Sequence, residues 1–112
     1  MSAMIWVTSD AIVGKRIVKT LGGVRGNAIR ARHVGRDLLA FFKNLVGGEL
    51  HDYTKLMAQA REQALDRMID DARAQGADAV VTVRFATAEI AAGAAEMLAY
   101  GTGVTIEEEA TD

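Results

Sequence analysis

Apolar residues Met4 to Thr8, stopped by Ser9-Asp10, predict a short strand near the start of the chain. Between Lys15 and Ala31 the apolar positions Ile17, Val18, Leu21, Val24, Ala28 and Ile29 are interrupted by Gly22, Gly23 and Gly26. Glycines at those intervals suit bent or bulged strands, so two strands with a tight connection are expected. Arg36 to Val46 then spreads Leu38, Leu39, Phe41, Phe42, Leu45 and Val46 over one broad helical face before Gly47-Gly48, which predicts a short buried helix.

The most regular periodicity runs from Asp52 to Gln75. Met57, Ala60, Ala64, Met68 and Ala72 form an i, i+3, i+4 stripe, widened by Leu65 and Ile69, and the small alanines permit close backbone approach. Asp52 is placed to cap the N-terminus and Gly76 to take the left-handed position that closes the C-terminus. At 1.5 Å per residue this helix is roughly 36 Å long, enough to cross a sheet and reach its edge. Beyond it, Ala79–Ala86 and Glu96–Ile106 predict two hairpin strands, with Thr87–Ala95 as the connection. Alternation puts Val81, Val83 and Phe85 on one face, and Val80 and Thr82 on the other. In the second strand Leu98, Tyr100, Thr102, Val104 and Ile106 share a face. Both faces of the hairpin carry apolar residues: one can pack on the long helix, and the other needs a second cover.

Composition sharpens that need. The chain has 112 residues, which predicts one domain over 1–112, and half of them are hydrophobic, but twenty are alanine and only six aromatic. Alanine buries little area, so a monomer is marginal unless copies of the chain cover one another, and self-association is the first expectation. Zero cysteines exclude disulfides, thiolate metal sites and cysteine nucleophiles. No run approaches the roughly 18 to 20 apolar residues of a membrane span, and Met1-Ser2-Ala3 lacks the basic start of a signal peptide, so a cytoplasmic protein is expected.

Charge is uneven. Lys15, Arg16, Lys19, Arg25, Arg30, Arg32 and Arg36 fall in residues 11–36 with no acid, leaving fifteen acids against six bases elsewhere. Such a segment attracts an anionic metabolite or nucleic acid, or docks on the acidic face of a neighbouring copy; the absence of interleaved aromatics favours the neighbour. The tail Glu107-Glu108-Glu109 reads as a solvated acidic end. Gly22-Gly23-Val24-Arg25-Gly26 fits neither phosphate-binding spacing and reads as a bulge or turn.

Read together, Gly14-Lys15-x-Ile17, Leu21-Gly22-x-Val24-x-Gly26, Asp37, Gly47-Gly48, Tyr53, Ala60-Arg61-x-x-Ala64, Gly76-Ala77-Asp78-Ala79-Val80-Val81 and Glu96-x-x-Ala99-Tyr100-Gly101-Thr102 resemble the YbjQ family, UPF0145, over nearly the whole chain. The family is described as heavy-metal-binding, with an unknown physiological role. The resemblance implies an α+β, dodecin-like subunit with an antiparallel-rich sheet under one long helix, assembled into a pentameric ring around a barrel-like centre.

Candidate chemistry is sparse. Glu49-x-His51-Asp52 brings three donors together where a loop could wrap a metal ion, although a capping or solvated-loop role accounts for them more simply. His33 sits among arginines that repel a cation. Met57 and Met68 read as core filler. A ring would repeat Glu96 and Tyr100 around an axis and bring Arg61 of one subunit toward its neighbour, making ligand sites that no single chain contains. Serines are limited to Ser2 and Ser9, with no histidine patterned to either, so an enzyme would need inter-subunit sites built from Glu96, Tyr100 or Arg61. The expected function is a homo-oligomeric small-ligand or metal-binding module with no evident organic cofactor. Membrane and nucleic-acid partners are not expected.

Overall fold

The computed structural model describes residues 3–31, 49–91 and 94–110. In chain order the elements are strand β1 (Ile5–Trp6), strand β2 (Lys15–Ala31), helix α1 (Glu49–Ala74), strand β3 (Ala79–Ala91) and strand β4 (Ala94–Glu108). The strands form one mixed sheet in the order β1-β3-β4-β2, with β1 parallel to β3 and the other pairs antiparallel. Among the described residues the architecture is α+β, one helix on one face of a four-stranded sheet. The short helix expected over Arg36–Val46 lies outside the described residues.

Two strand expectations are corrected. Residues 15–31 form one strand, paired with β4 from Lys15↔Glu108 to Ala31↔Ala94, with irregularities between Ile17 and Lys19 and between Thr20 and Gly22. Gly22, at φ +130°, marks a bulge inside that strand, one of the two readings its glycine cluster allowed, and the chain does not turn there. The stretch Thr87–Ala95 is mostly strand as well, because β4 is paired along both edges and holds β3 out to Ala91↔Ala94 despite the weak strand propensity of alanine.

α1 starts at Glu49, so Asp52 sits within its first turn and does not cap it. Its other end closes as expected. Gly76 has φ +84°, Ala77 N–H donates to Ala72 C=O at 3.0 Å and Gly76 N–H to Arg73 C=O at 3.0 Å, the paired bonds of a Schellman cap. Ala60, Ala64, Met68 and Ala72 are fully buried against Val24, Ala28, Val80, Val83, Met97 and Ala99 of the sheet. The alanine stripe therefore does what its spacing implies: it sets the helix close to β2 and β4.

The closeness lets α1 cap an edge strand. Gln75 Nε2 donates to Gly23 C=O at 3.3 Å, Arg25 N–H to Asp71 Oδ2 at 3.0 Å, and Arg67 Nη1 to Asn27 C=O at 2.6 Å. Four helical residues rise about 6 Å and two strand residues about 6.7 Å, so residues 67, 71 and 75 stay in step with 27, 25 and 23. Outward-facing groups of the edge strand are thereby satisfied within the chain, which blocks pairing with another strand there. Asp71→Ala is expected to cost about 1 kcal/mol, the net value of one such bond, read as a lower denaturant midpoint.

Candidate functional site

The sheet face away from α1 carries the residues singled out for ligand binding. On β4 Ala95, Met97 and Ala99 are buried toward the helix, so Glu96, Leu98, Tyr100 and Thr102 alternate onto the opposite face. The register sets Ile29 and Ala88 beside Glu96, Asn27 and Ala86 beside Leu98, and Arg25 and Arg84 beside Tyr100. Ile29 is 57% exposed and Tyr100 42%. A band of apolar side chains with one carboxylate row and one arginine–phenol row is thus left open to solvent.

A bulge in β3 decides which residues join it. Between Val81↔Thr102 and Arg84↔Tyr100 β3 has one residue more than β4, and Thr82 there adopts φ 56°, an uncommon conformation for a β-branched residue. The extra residue inverts the alternation. Val80 and Val83 both pack toward α1, with Phe85 against them, whereas Val81 joins Ala79 and Val104 in a smaller cluster on the other side. The expected grouping of Val81 with Val83 is therefore corrected, and Arg84 is delivered beside Tyr100. The bulge is held by residues 7–9: Val83 N–H donates to Val7 C=O at 3.0 Å, Thr82 N–H to Ser9 C=O at 2.9 Å, and Arg84 Nη1 to Thr8 C=O at 2.7 Å.

Glu96 and Tyr100 share a face, as their spacing implied. Arg61 is exposed on α1, in the other layer, so the sheet separates it from both within one chain. The side chains of Glu49, His51 and Asp52, and all of His33, lie outside the described residues. Positions 49–52 are helical and not a loop, and two helical residues turn position 51 about 200° from position 49. The acidic tail is exposed, as expected, and in addition Glu107 pairs with Arg16 and Glu108 with Lys15, across the β2–β4 register. These pairs are exposed and contribute little stability, but they neutralise two of the seven bases of the basic segment.

The described donors do not form a metal centre. Among the described residues no three His, Cys, Asp or Glu side chains gather, the chain has no thiolate, and the thioethers of Met68 and Met97 are enclosed in the core. No described helix is long and apolar enough to cross a membrane.

Residues 4–107 match a family model described as "Putative heavy-metal-binding" (YbjQ_1). The chain belongs to the YbjQ family, UPF0145. A UPF0145 protein of Methanosarcina acetivorans is 54% identical over 103 residues, 92% of this chain and 97% of that one. Another, from Clostridioides difficile, is 53% identical over 95% of both chains, and one from Halorubrum lacusprofundi is 57% identical over 88% of this chain and 94% of its own. Among solved structures, a protein of unknown function of the DUF74 family from Pediococcus pentosaceus superposes with a TM-score of 0.56 at 15% identity, covering 93% of this chain and 98% of that one. That likeness is one of fold. The signature stretches of this YbjQ-family chain include structural devices: Gly76-Ala77 forms the helix cap, and Asp78 Oδ2 accepts from Ile106 N–H at 3.1 Å.

Proposed function

We propose that this YbjQ-family chain works as a homo-oligomer, a pentameric ring of dodecin-like subunits, that holds a small ligand or a metal ion at its subunit junctions and performs no reaction of its own. The observation that carries this reading is the helix-free sheet face, where Ile29 and Tyr100 stand exposed beside Leu98. Contiguous apolar surface of that kind marks an interaction site. Copies that cover the face would repeat Glu96 and Tyr100 around an axis and set Arg61 of one subunit against its neighbour. Light scattering on the purified chain is expected to give a multiple of 12.0 kDa, five-fold for the ring. A folded 12.0 kDa particle at micromolar concentration overturns the reading.

For the metal in the family's description, the donors proposed are Glu49, His51 and Asp52, joined by copies from neighbouring subunits. Titration with Zn²⁺ and Cu²⁺ is expected to show weaker binding in His51→Ala; unchanged affinity removes His51 from the site. A second reading, an anionic metabolite bound through the basic segment, draws support from Arg25 of that segment and from Arg84 of β3, which the register sets on the other side of Tyr100. Neither makes an ion pair among the described residues, unlike Lys15 and Arg16. Such binding would weaken steeply with salt.

A further inference from the structure

α1 lies mainly over β2 and β4, so the β1 side of the same face is left partly uncovered beside the helix. A groove of about 420 Å³ occupies that space, within the roughly 300–1,000 Å³ typical of small-molecule sites. Its apolar lining comes from Met4 and Trp6 of the N-terminal segment and from Leu65 and Ile69 of the helix. Its charged lining is Asp66, Asp70 and Arg73. Asp66 and Asp70 are one helical turn apart on one face, where like charges repel. Arg73 approaches Asp70 at 3.9 Å, Asp66 has no ion pair among the described residues, and the described lining holds two carboxylates against one guanidinium.

Trp6 gives the groove its chemical preference. It is the single tryptophan of the chain and 37% exposed although it borders a cavity. An indole face attracts cations, and carboxylates beside it add to that attraction, while Leu65 and Ile69 offer surface to a hydrocarbon group. A metal ion would find only two carboxylates and no nitrogen or sulfur donor at hand besides the core-packed thioether of Met4.

We propose that the groove between the N-terminal segment and α1 binds a small organic ammonium ion, its hydrocarbon part on Trp6, Leu65 and Ile69 and its positive charge beside Asp66 and Asp70. The site is complete within one chain and does not depend on the ring or on the junction ligand proposed above.

Because Trp6 is the only indole, its emission reports occupancy of this groove directly. Titration with benzylamine, cationic at neutral pH, is expected to change that emission saturably, with a millimolar or tighter dissociation constant. Benzyl alcohol and benzoate keep the ring without the positive charge and are expected to bind at least about fivefold more weakly, as is benzylamine to Asp66→Asn combined with Asp70→Asn. Glu62→Gln, on the same helix but outside the groove, is expected to leave benzylamine binding unchanged, and light scattering in the same buffers follows the oligomer separately. Equal binding of the neutral analogue, no effect of the aspartate substitutions, or no saturable response overturns the proposal. So does emission that follows protein concentration and ignores the amine, since the groove would then be filled by a second copy.

Discussion

Gly26→Ala is expected to abolish stable folding of the subunit. A Cβ at position 26 would stand 2.3 Å from the carbonyl oxygen of Ala64, 2.3 Å from the amide nitrogen of Met68 and 2.7 Å from the carbonyl carbon of Arg67. All three are backbone atoms of a packed helix, so no rotamer change relieves the overlap; α1 itself has to move away from β2. Moving it opens the contact of Ala60, Ala64, Met68 and Ala72 with the sheet and pulls Arg67, Asp71 and Gln75 away from the edge groups they satisfy. Ordinary overpacking costs about 1–3 kcal/mol, and a clash with helical backbone exceeds that range, against a total stability of about 5–15 kcal/mol for a natural domain. Gly23→Ala is the matched control. It lies on the same strand, and the nearest atom to its new Cβ is the Gly101 carbonyl oxygen at 4.0 Å. Circular dichroism during denaturant unfolding is expected to place Gly23→Ala near the parent and to find Gly26→Ala unfolded or many kcal/mol weaker. Equal midpoints for the two variants would mean that the helix does not rest on β2 at this distance.

That contact also shows what was legible in the sequence. The alanine stripe at positions 60, 64 and 72 announced a helix that could approach its support closely, and the three glycines announced irregular strands. Which glycine receives the helix was not legible, because it depends on the register between residues far apart in the chain. Gly22 bends β2, Gly26 admits α1, and Gly76 closes the helix. The same limit applied to the candidate site. Spacing of four residues placed Glu96 and Tyr100 on one face, a local property of a strand. The arrival of Arg25 and Arg84 beside Tyr100 needed the pairing of three strands and the extra residue at Thr82, and no local pattern in Ala79–Ala86 announces a bulge at a threonine. The pairing of Lys15 and Arg16 with the acidic tail was hidden likewise, since it joins segments more than 90 residues apart.

Leu98→Glu is expected to break the proposed oligomer while leaving the subunit folded. Leu98 is half-buried on the helix-free face, with Asn27 and Ala86 as its cross-strand neighbours, so within one chain a glutamate there keeps access to water. In an assembly that covers this face, the substitution removes a leucine contact worth about 1.5–3 kcal/mol and asks a carboxylate to lose its hydration. Each junction is thereby weakened by more than about a hundredfold, and a closed ring suffers that loss at every interface. Gln59→Glu, exposed on α1 and turned about 200° around the helix from Arg61, changes the charge equally but lies away from the residues proposed to meet a neighbour. Sedimentation is expected to return the 12.0 kDa subunit for Leu98→Glu and the parental mass for Gln59→Glu, with both retaining the parental circular dichroism spectrum. Parental mass for both variants would place the interface on another surface, and the apolar side chains of Ile29 and Leu98 would then require a different cover.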